Sequence, residues 1–123
     1  MSLAEFNLYD ANNHLVTGAQ ASSTCLYSPP GQGPSAAVDG DSSTQFTCHV
    51  GVASLLLTFA SPTTISSYDF ITADSTTAAN DPRSWALRCR TSPDNLFTEL
   101  HTVTDFPMVS ARMASYGGFL TIQ

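Results

Sequence analysis

The sequence contains no lysine, and charged residues of all kinds make up only 11% of its 123 residues. Four arginines stand against ten acidic residues, which gives a formal net charge of −6. A nucleic-acid surface needs clustered cations that release counterions from phosphates, and four scattered arginines do not supply one. The same shortage argues against attraction to an anionic membrane. A surface so poor in charge suits a neutral, hydroxyl-rich partner such as a glycan, and it suits a protein partner equally well.

Long apolar runs and sustained helical periodicity are also missing. No stretch approaches the length of a membrane-spanning helix, and Met1-Ser2-Leu3 lacks the charged and apolar regions of a signal peptide. We therefore expect no transmembrane segment. With 42% hydrophobic residues in a chain of this length, we expect one domain with a real core over residues 1–123.

The cysteines are few and odd in number. Cys25, Cys48 and Cys89 form no CxxC pair. Two alternatives are therefore open: one disulfide with one free thiol, or three buried thiols. Because a core of this size does not require a covalent framework, we expect no disulfide.

What the sequence has is short apolar stretches separated by clusters of Gly, Pro, Asn, Asp and Ser, which is typical of an all-β sandwich or barrel. Serine and threonine, about a quarter of the chain, suit turns and half-buried strands. Turns are predicted at residues 10–13 and 92–95, and a long ordered loop at residues 21–34. The pattern predicts strands at Ala4–Tyr9, Gln45–Cys48, Ser54–Phe59, Ile65–Ala73, Trp85–Cys89, Phe97–Val103 and Phe119–Ile122.

Two of these strands carry an expectation about burial. Residues 54–59 are nearly continuously apolar, which indicates a strand covered on both faces. Trp85, Leu87 and Cys89 alternate with more polar residues, so we expect these three to face the core.

Three segments stand in a recognisable order. They are the box from Ala37 to Phe46 around Asp39-Gly40-Asp41, the stretch from Ser67 to Asp74 that ends at Asn80–Leu87 with Asp81-Pro82 and Trp85, and the turn and strand from Thr91 to Leu100. Together they resemble the galactose-binding-like family, also called discoidin or coagulation factor 5/8 type C, which includes many carbohydrate-binding modules. The resemblance covers nearly the whole chain. It implies a jelly-roll β-sandwich of about eight antiparallel strands, and an extracellular or cell-surface protein.

One departure from that family concerns the strand that usually closes the fold. Residues 3–10 resemble this closing strand, yet here they come first. Either the chain is circularly permuted or it was cut from a longer protein in a shifted frame, which nearby chain ends would allow. In both cases we expect the strands at Ala4–Tyr9 and Phe119–Ile122 to be neighbours in one sheet.

The acidic loop is a candidate calcium site. In many of the resembled modules this box, with a Glu in the closing strand, holds a structural Ca²⁺, and the matching residues here are Glu5, Asp39, Asp41 and Thr44. Calcium takes about six to eight oxygen ligands, of which a compact acidic loop can provide several. The alternative is that Asp39 and Asp41 only tie the loop by side-chain-to-backbone hydrogen bonds.

The resemblance also implies a ligand-binding end built from the loops Ser22–Pro34, Thr47–Ala53 and Asp74–Ser84. Within them, Tyr27 offers an apolar face to a sugar ring. His49, Asn80 and Arg83 offer directional hydrogen bonds. Each has a plainer alternative as a residue that only shapes or pins its own loop.

No catalytic constellation stands out. His14, His49 and His101 are widely spaced, and there is neither a nucleophile elbow nor an HExxH motif. The sequence therefore predicts a noncatalytic, lectin-like module with a glycan or glycoprotein as its ligand. The alternatives are a protein-interaction or adhesion module, with a protein partner, and a structural appendage of a larger protein.

Overall fold

The structure, a computed structural model, describes residues 1–49, 53–74 and 80–120. Within these ranges the chain forms mostly short strands, with a 3-10 helix at Pro34–Val38, so the predicted all-β class is confirmed. The strands are, in chain order, β1 (Ser2–Leu3), β2 (Glu5–Tyr9), β3 (Gln20–Ser22), β4 (Phe46–Thr47), β5 (Leu56–Thr58), β6 (Ser67–Ile71), β7 (Trp85–Cys89), β8 (Thr98–Val103) and β9 (Phe119–Leu120).

All strand pairs among the described residues are antiparallel. β2, β6 and β9 form a three-stranded sheet with β6 in the middle. β1 pairs with β4, β3 with β5, and β7 with β8. β6 is therefore the strand that pairs along both of its edges.

Aromatic rings make up the core. Tyr68 and Phe70 are two residues apart on β6, so they share a face of the sheet, and they are only 0% and 7% exposed. The ring of Phe70 meets Trp85 edge to face at 4.9 Å between centroids, and Tyr68 stacks on Phe119 at 5.1 Å. Such contacts are favourable because ring edges and faces carry opposite partial charge. The cluster is completed by Phe6, Phe106 and Tyr116.

A chain of hydrogen bonds crosses this core. The indole N–H of Trp85 donates to the hydroxyl of Tyr68 at 2.9 Å, and that hydroxyl lies 2.6 Å from Nδ1 of His101. Because the indole can only donate, the Tyr68 hydroxyl accepts from it. Burial raises the pKa of the Tyr68 phenol. The hydroxyl of Tyr68 thus links the rings of Trp85 and His101.

The terminal strands differ from the expectation in one respect. β2 and β9 do lie in one sheet, but they are not neighbours, because β6 stands between them. Residue Glu5 faces Ile71 and Ser67 faces Leu120 across the two ladders. The predicted strand at residues 65–73 contains β6, which pairs with β2 along one edge and with β9 along the other. Residues 121 and 122 of the predicted last strand lie outside the described residues.

Two expectations about burial were wrong. Trp85 and Leu87 are half-buried as predicted, but Cys89 is exposed. A β-bulge between Leu87 and Arg88 shifts the pairing of β7 with β8, which re-aims the end of the strand. On β5, Leu56 is 37% exposed, so this strand is not covered on both faces.

The predicted turns are confirmed by their hydrogen bonds. The carboxylate of Asp10 accepts the N–H groups of Asn12 and His14, each at 2.9 Å. The amide of Asn95 donates to the carbonyl of Ser92 at 3.1 Å. The 3-10 helix and the short strands β1 and β3 were not predicted. Their sequences are too short to show a clear alternation of apolar and polar residues.

Candidate functional site

A disulfide joins two of the loops that were predicted to form the ligand-binding end. Cys25 and Cys48 are bonded, with their Cα atoms 5.9 Å apart, so the expectation of no disulfide was wrong. Cys48 is buried beside Phe46 and Ala37, in a small core separate from the main aromatic cluster. The bridge thus fastens an exposed loop to a part of the molecule that has little apolar material of its own.

Tyr27 and His49 meet next to this disulfide. The amide of His49 donates to the carbonyl of Tyr27 at 3.0 Å, and their rings lie nearly parallel, at 21° and 6.3 Å between centroids. Tyr27 is 52% exposed and His49 is also exposed. Two of the four predicted ligand residues therefore form one accessible pair of rings.

Serine and threonine hold the other side of the same loop. The hydroxyl of Ser54 accepts the amide of Thr24 at 3.0 Å and lies 2.7 Å from the hydroxyl of Thr24. The hydroxyl of Ser23 donates to the carbonyl of Ser54. These bonds and the disulfide restrain the loop on both sides, so that its exposed residues are held by a fixed backbone. We call residues 23–27 with His49 the clamped tip.

Leu26 is a member of the clamped tip that the sequence reading missed. It is 77% exposed beside Tyr27. A single exposed leucine is common on protein surfaces, and the sequence offered no signal that this one stands at a restrained loop end. Its neighbour in the chain, Cys25, was the available hint, since a disulfide there fixes the side chains that follow.

The other two predicted ligand residues, Asn80 and Arg83, are not part of the clamped tip. Asn80 is exposed, and residues 75–79 of the same predicted loop lie outside the described residues. The guanidinium of Arg83 donates to the carbonyl of Phe106 at 3.2 Å, and the amide of Phe106 donates to the carbonyl of Arg83 at 2.7 Å. These bonds fix Arg83 against residue 106. A ligand role for Asn80 and Arg83 stays a prediction.

The acidic loop is tied by its own side chains. The carboxylate of Asp39 accepts the amide of Asp41 at 2.9 Å and the hydroxyl of Thr44. The carboxylate of Asp41 accepts the amide of Ser43 at 2.9 Å and also its hydroxyl. Gly40 between the two aspartates has a φ of 75°, a conformation that favours glycine.

Glu5 lies on β2, and its side chain contacts this acidic loop at Asp39. Its side chain is buried, at 4% exposure, and it hydrogen-bonds the carboxyl group of Asp39. Burial, together with the hydrogen bond and the negative charge of Asp39, raises the pKa of Glu5 to about 8. Although burial opposes ionisation of Asp39, bonds from Thr44, Glu5 and the backbone hold its pKa below the ordinary value. The raised pKa of Glu5 favours its protonated form at neutral pH.

The four predicted calcium ligands can be compared with what the ion requires. Glu5, Asp39 and Thr44 do come together, whereas the carboxylate of Asp41 is turned towards Ser43. In the part of the chain that the structure describes, no group of three or more His, Cys, Asp or Glu residues is arranged to hold a metal. Calcium would have to replace the hydrogen bonds within the loop to collect about six oxygens. A calcium ion here stays a prediction.

A second buried carboxylate lies elsewhere in the molecule. Asp81 is 7% exposed and pairs with Arg112 at 2.6 Å. The hydroxyl of Tyr116 donates to the carbonyl of Pro82 at 2.7 Å, and burial, with the charge of Asp81, raises the pKa of this phenol. The pair and the phenol fasten the chain before β7 to the segment before β9.

No helix within residues 1–49, 53–74 and 80–120 is long and apolar enough to cross a membrane. In comparisons with known proteins, no family model, no curated protein and no solved structure matches this chain.

Proposed function

We propose that this chain is a noncatalytic carbohydrate-binding, lectin-like module that contacts glycans with its clamped tip. The observation that carries the proposal is the pair of exposed rings, Tyr27 and His49, joined by a backbone hydrogen bond beside the Cys25–Cys48 disulfide. A tyrosine face can stack on the apolar side of a sugar ring, while an imidazole makes directional hydrogen bonds to hydroxyls. A restrained loop also loses less conformational entropy on binding.

The charge of the chain supports a neutral ligand. Residues 22–34, which contain most of the clamped tip, include no charged side chain. The chain as a whole has a net charge of −6 and no lysine. Neutral sugar hydroxyls suit such a surface better than phosphates or sulfates, which require cations.

The finer fold and the location of the protein belong to the same proposal. We infer a discoidin-like jelly roll with a shifted terminal strand, which is supported by antiparallel pairing throughout the described strands and by β2 and β9 lying in one sheet. The disulfide supports an extracellular or cell-surface location, since disulfides persist in oxidising compartments. Asn80 and Arg83 are proposed as further sugar contacts.

The contacts of the three histidines support the proposal that the chain is noncatalytic. His101 lies 2.6 Å from the hydroxyl of Tyr68, and His49 stacks on Tyr27. His14 lies 4.0 Å from the carboxylate of Asp10, in an exposed turn. None of these described contacts joins a histidine to a serine, threonine or cysteine, the usual nucleophiles of histidine-assisted hydrolysis.

A glycan array at high protein density tests the proposal. The protein should be displayed as a multimer, because weak modules gain strength by multivalency. We expect binding to a restricted set of glycans that is lost in Tyr27→Ala and weakened in His49→Ala. Phe97→Ala is the matched control, since Phe97 is an aromatic residue of similar exposure, 44%, on another part of the surface.

The second candidate is a protein-interaction or adhesion module, and Leu26 is the observation that favours it. Leu26 adds exposed apolar area beside Tyr27, and tyrosine is a residue type enriched among interface hot spots. Silence of the wild-type protein on the glycan array, together with a protein partner whose capture depends on Leu26, would reverse the ranking of the two candidates.

A further inference from the structure

A groove of about 250 Å³ lies between β2, the segment 15–19 and β5. Its walls include the apolar side chains of Val16, Leu57 and Phe59, which are half-buried. Glu5 and Asp39 line it as well. The groove thus combines an apolar surface with two carboxyl groups, and it uses none of the residues of the clamped tip.

The carboxyl groups leave hydrogen-bond capacity unused. The side-chain oxygen Oε1 of Glu5 is buried and has no hydrogen-bond partner among the described residues. Asp39 is exposed and shares a hydrogen bond with Glu5. Of the described residues that line the groove, none carries a positive charge. A buried acceptor without a donor is unfavourable, and a ligand that brings donors removes this deficit.

We propose that this groove binds a small organic cation, a primary ammonium group carried on an apolar body. An ammonium group has three donors and no acceptor, which matches the acceptors of Glu5 and Asp39. Asp39 is the exposed partner and meets the ammonium first, and the unbonded Oε1 of Glu5 accepts a second N–H. The apolar body then lies against Val16, Leu57 and Phe59.

The groove suits this ligand better than it suits a metal ion. Calcium prefers about six to eight hard oxygens, whereas the walls of the groove are largely aliphatic and aromatic. The carboxylate of Asp41 and the hydroxyl of Thr44, which would complete a metal shell, are bonded to Ser43 and to Asp39 within the loop. An ammonium group can give two of its three donors to Glu5 and Asp39 and keep the third in solvent, and its apolar body gains from the apolar walls.

The test is a titration of the isotopically labelled protein with n-hexylammonium chloride, followed by the backbone amide shifts in nuclear magnetic resonance spectra. We expect saturable shifts at Asn7, Val16, Gly40 and Leu57, which line the groove. n-Hexanol, the neutral compound of the same length, should bind about tenfold more weakly or worse, because it lacks the charge-assisted bonds.

Two variants and one control separate the site from the rest of the surface. Glu5→Leu, which removes the acceptor Oε1, and Asp39→Asn should each weaken binding of n-hexylammonium about tenfold. Asp39 is exposed, so its variant remains informative if Glu5→Leu folds poorly. Asp94→Asn, at an exposed position in the turn before β8, should leave binding unchanged.

Three results would overturn the proposal. The first is equal binding of the amine and the alcohol, and the second is the absence of saturable shifts at the groove. The third is a titration in which calcium chloride shifts these same amides while n-hexylammonium does not, which would assign the carboxyl groups to a metal ion.

Discussion

The backbone amide of His49 donates to the carbonyl of Tyr27 at 3.0 Å, although the two residues are far apart in the sequence. This bond brings together two side chains that were each proposed for sugar binding from the family resemblance and from their residue types. The adjacent Cys25–Cys48 disulfide holds the same two segments covalently. The stability of the clamped tip should therefore depend on that bridge.

Removing the disulfide by the double substitution of Cys25 and Cys48 with serine should lower the free energy of unfolding by about 3 kcal/mol, since the bridge closes a loop of some two dozen residues. Urea denaturation measures this change. Cys89→Ser is the matched control, because Cys89 is free and exposed. Equal stability of the double variant and the wild type would show that the bridge does not hold the fold.

The pH dependence of stability should carry the signature of Glu5. Its pKa is about 8 in the folded protein, against an ordinary value of 4.5. Between these two values the unfolded chain loses this proton while the folded chain keeps it, so stability falls as pH rises. Below pH 4.5 the contribution is fully present, and by pH 8 it is lost, which amounts to on the order of 2–4 kcal/mol.

Thermal melting between pH 5 and 8, with a chelator present, measures the effect of Glu5. Glu5→Gln should flatten the profile by mimicking the protonated acid, and should be the more stable protein at pH 8. Glu99→Gln should keep the wild-type slope, because Glu99 is exposed on β8. A wild-type profile with no loss of stability towards pH 8 would contradict the burial of a protonated Glu5.

The ion pairs Arg112–Asp81 and Arg88–Glu99 should contribute differently to the free energy of unfolding. Arg112→Met leaves the buried carboxylate of Asp81 without its counter-charge and should lower the free energy of unfolding by about 3 kcal/mol. Arg88→Met, in the exposed pair with Glu99 at 3.6 Å, should change it by less than about 1 kcal/mol. Similar losses in both variants would mean that the Asp81 pair is accessible to solvent.

Tyr68 should be sensitive to the loss of its hydroxyl alone. Tyr68→Phe leaves both the Trp85 indole and the His101 ring without a partner in the core, so it should lower the free energy of unfolding by about 1–3 kcal/mol. Tyr9→Phe, on the edge of β2, should have a smaller effect. If the two substitutions are equivalent in urea denaturation, the hydrogen-bond chain through Tyr68 contributes nothing to stability.

How far the sequence predicted the structure depends on the range of each interaction. The turn at Asp10 and the strand at Trp85 were predictable because residue type and spacing decide them locally. The pairing of Cys25 with Cys48 was not, since an odd number of cysteines leaves the connectivity open. The exposure of Cys89 depends on a β-bulge, which alternation of residue types does not reveal.

The candidate site shows the same division. Tyr27 and His49 could be named from their chemistry, but their contact depends on which strands pair and where the disulfide forms. Glu5 could be placed near Asp39 only through a family resemblance. The raised pKa of Glu5 follows mainly from burial, which no sequence pattern reports.

The most direct test of the account is a glycan array probed with multimers of the wild-type protein, Tyr27→Ala and Phe97→Ala. The account predicts that the wild type and Phe97→Ala bind the same restricted set of glycans, and that Tyr27→Ala binds none of them. Glycan binding that is unchanged in Tyr27→Ala, or a wild-type protein that binds no glycan at all, would contradict it.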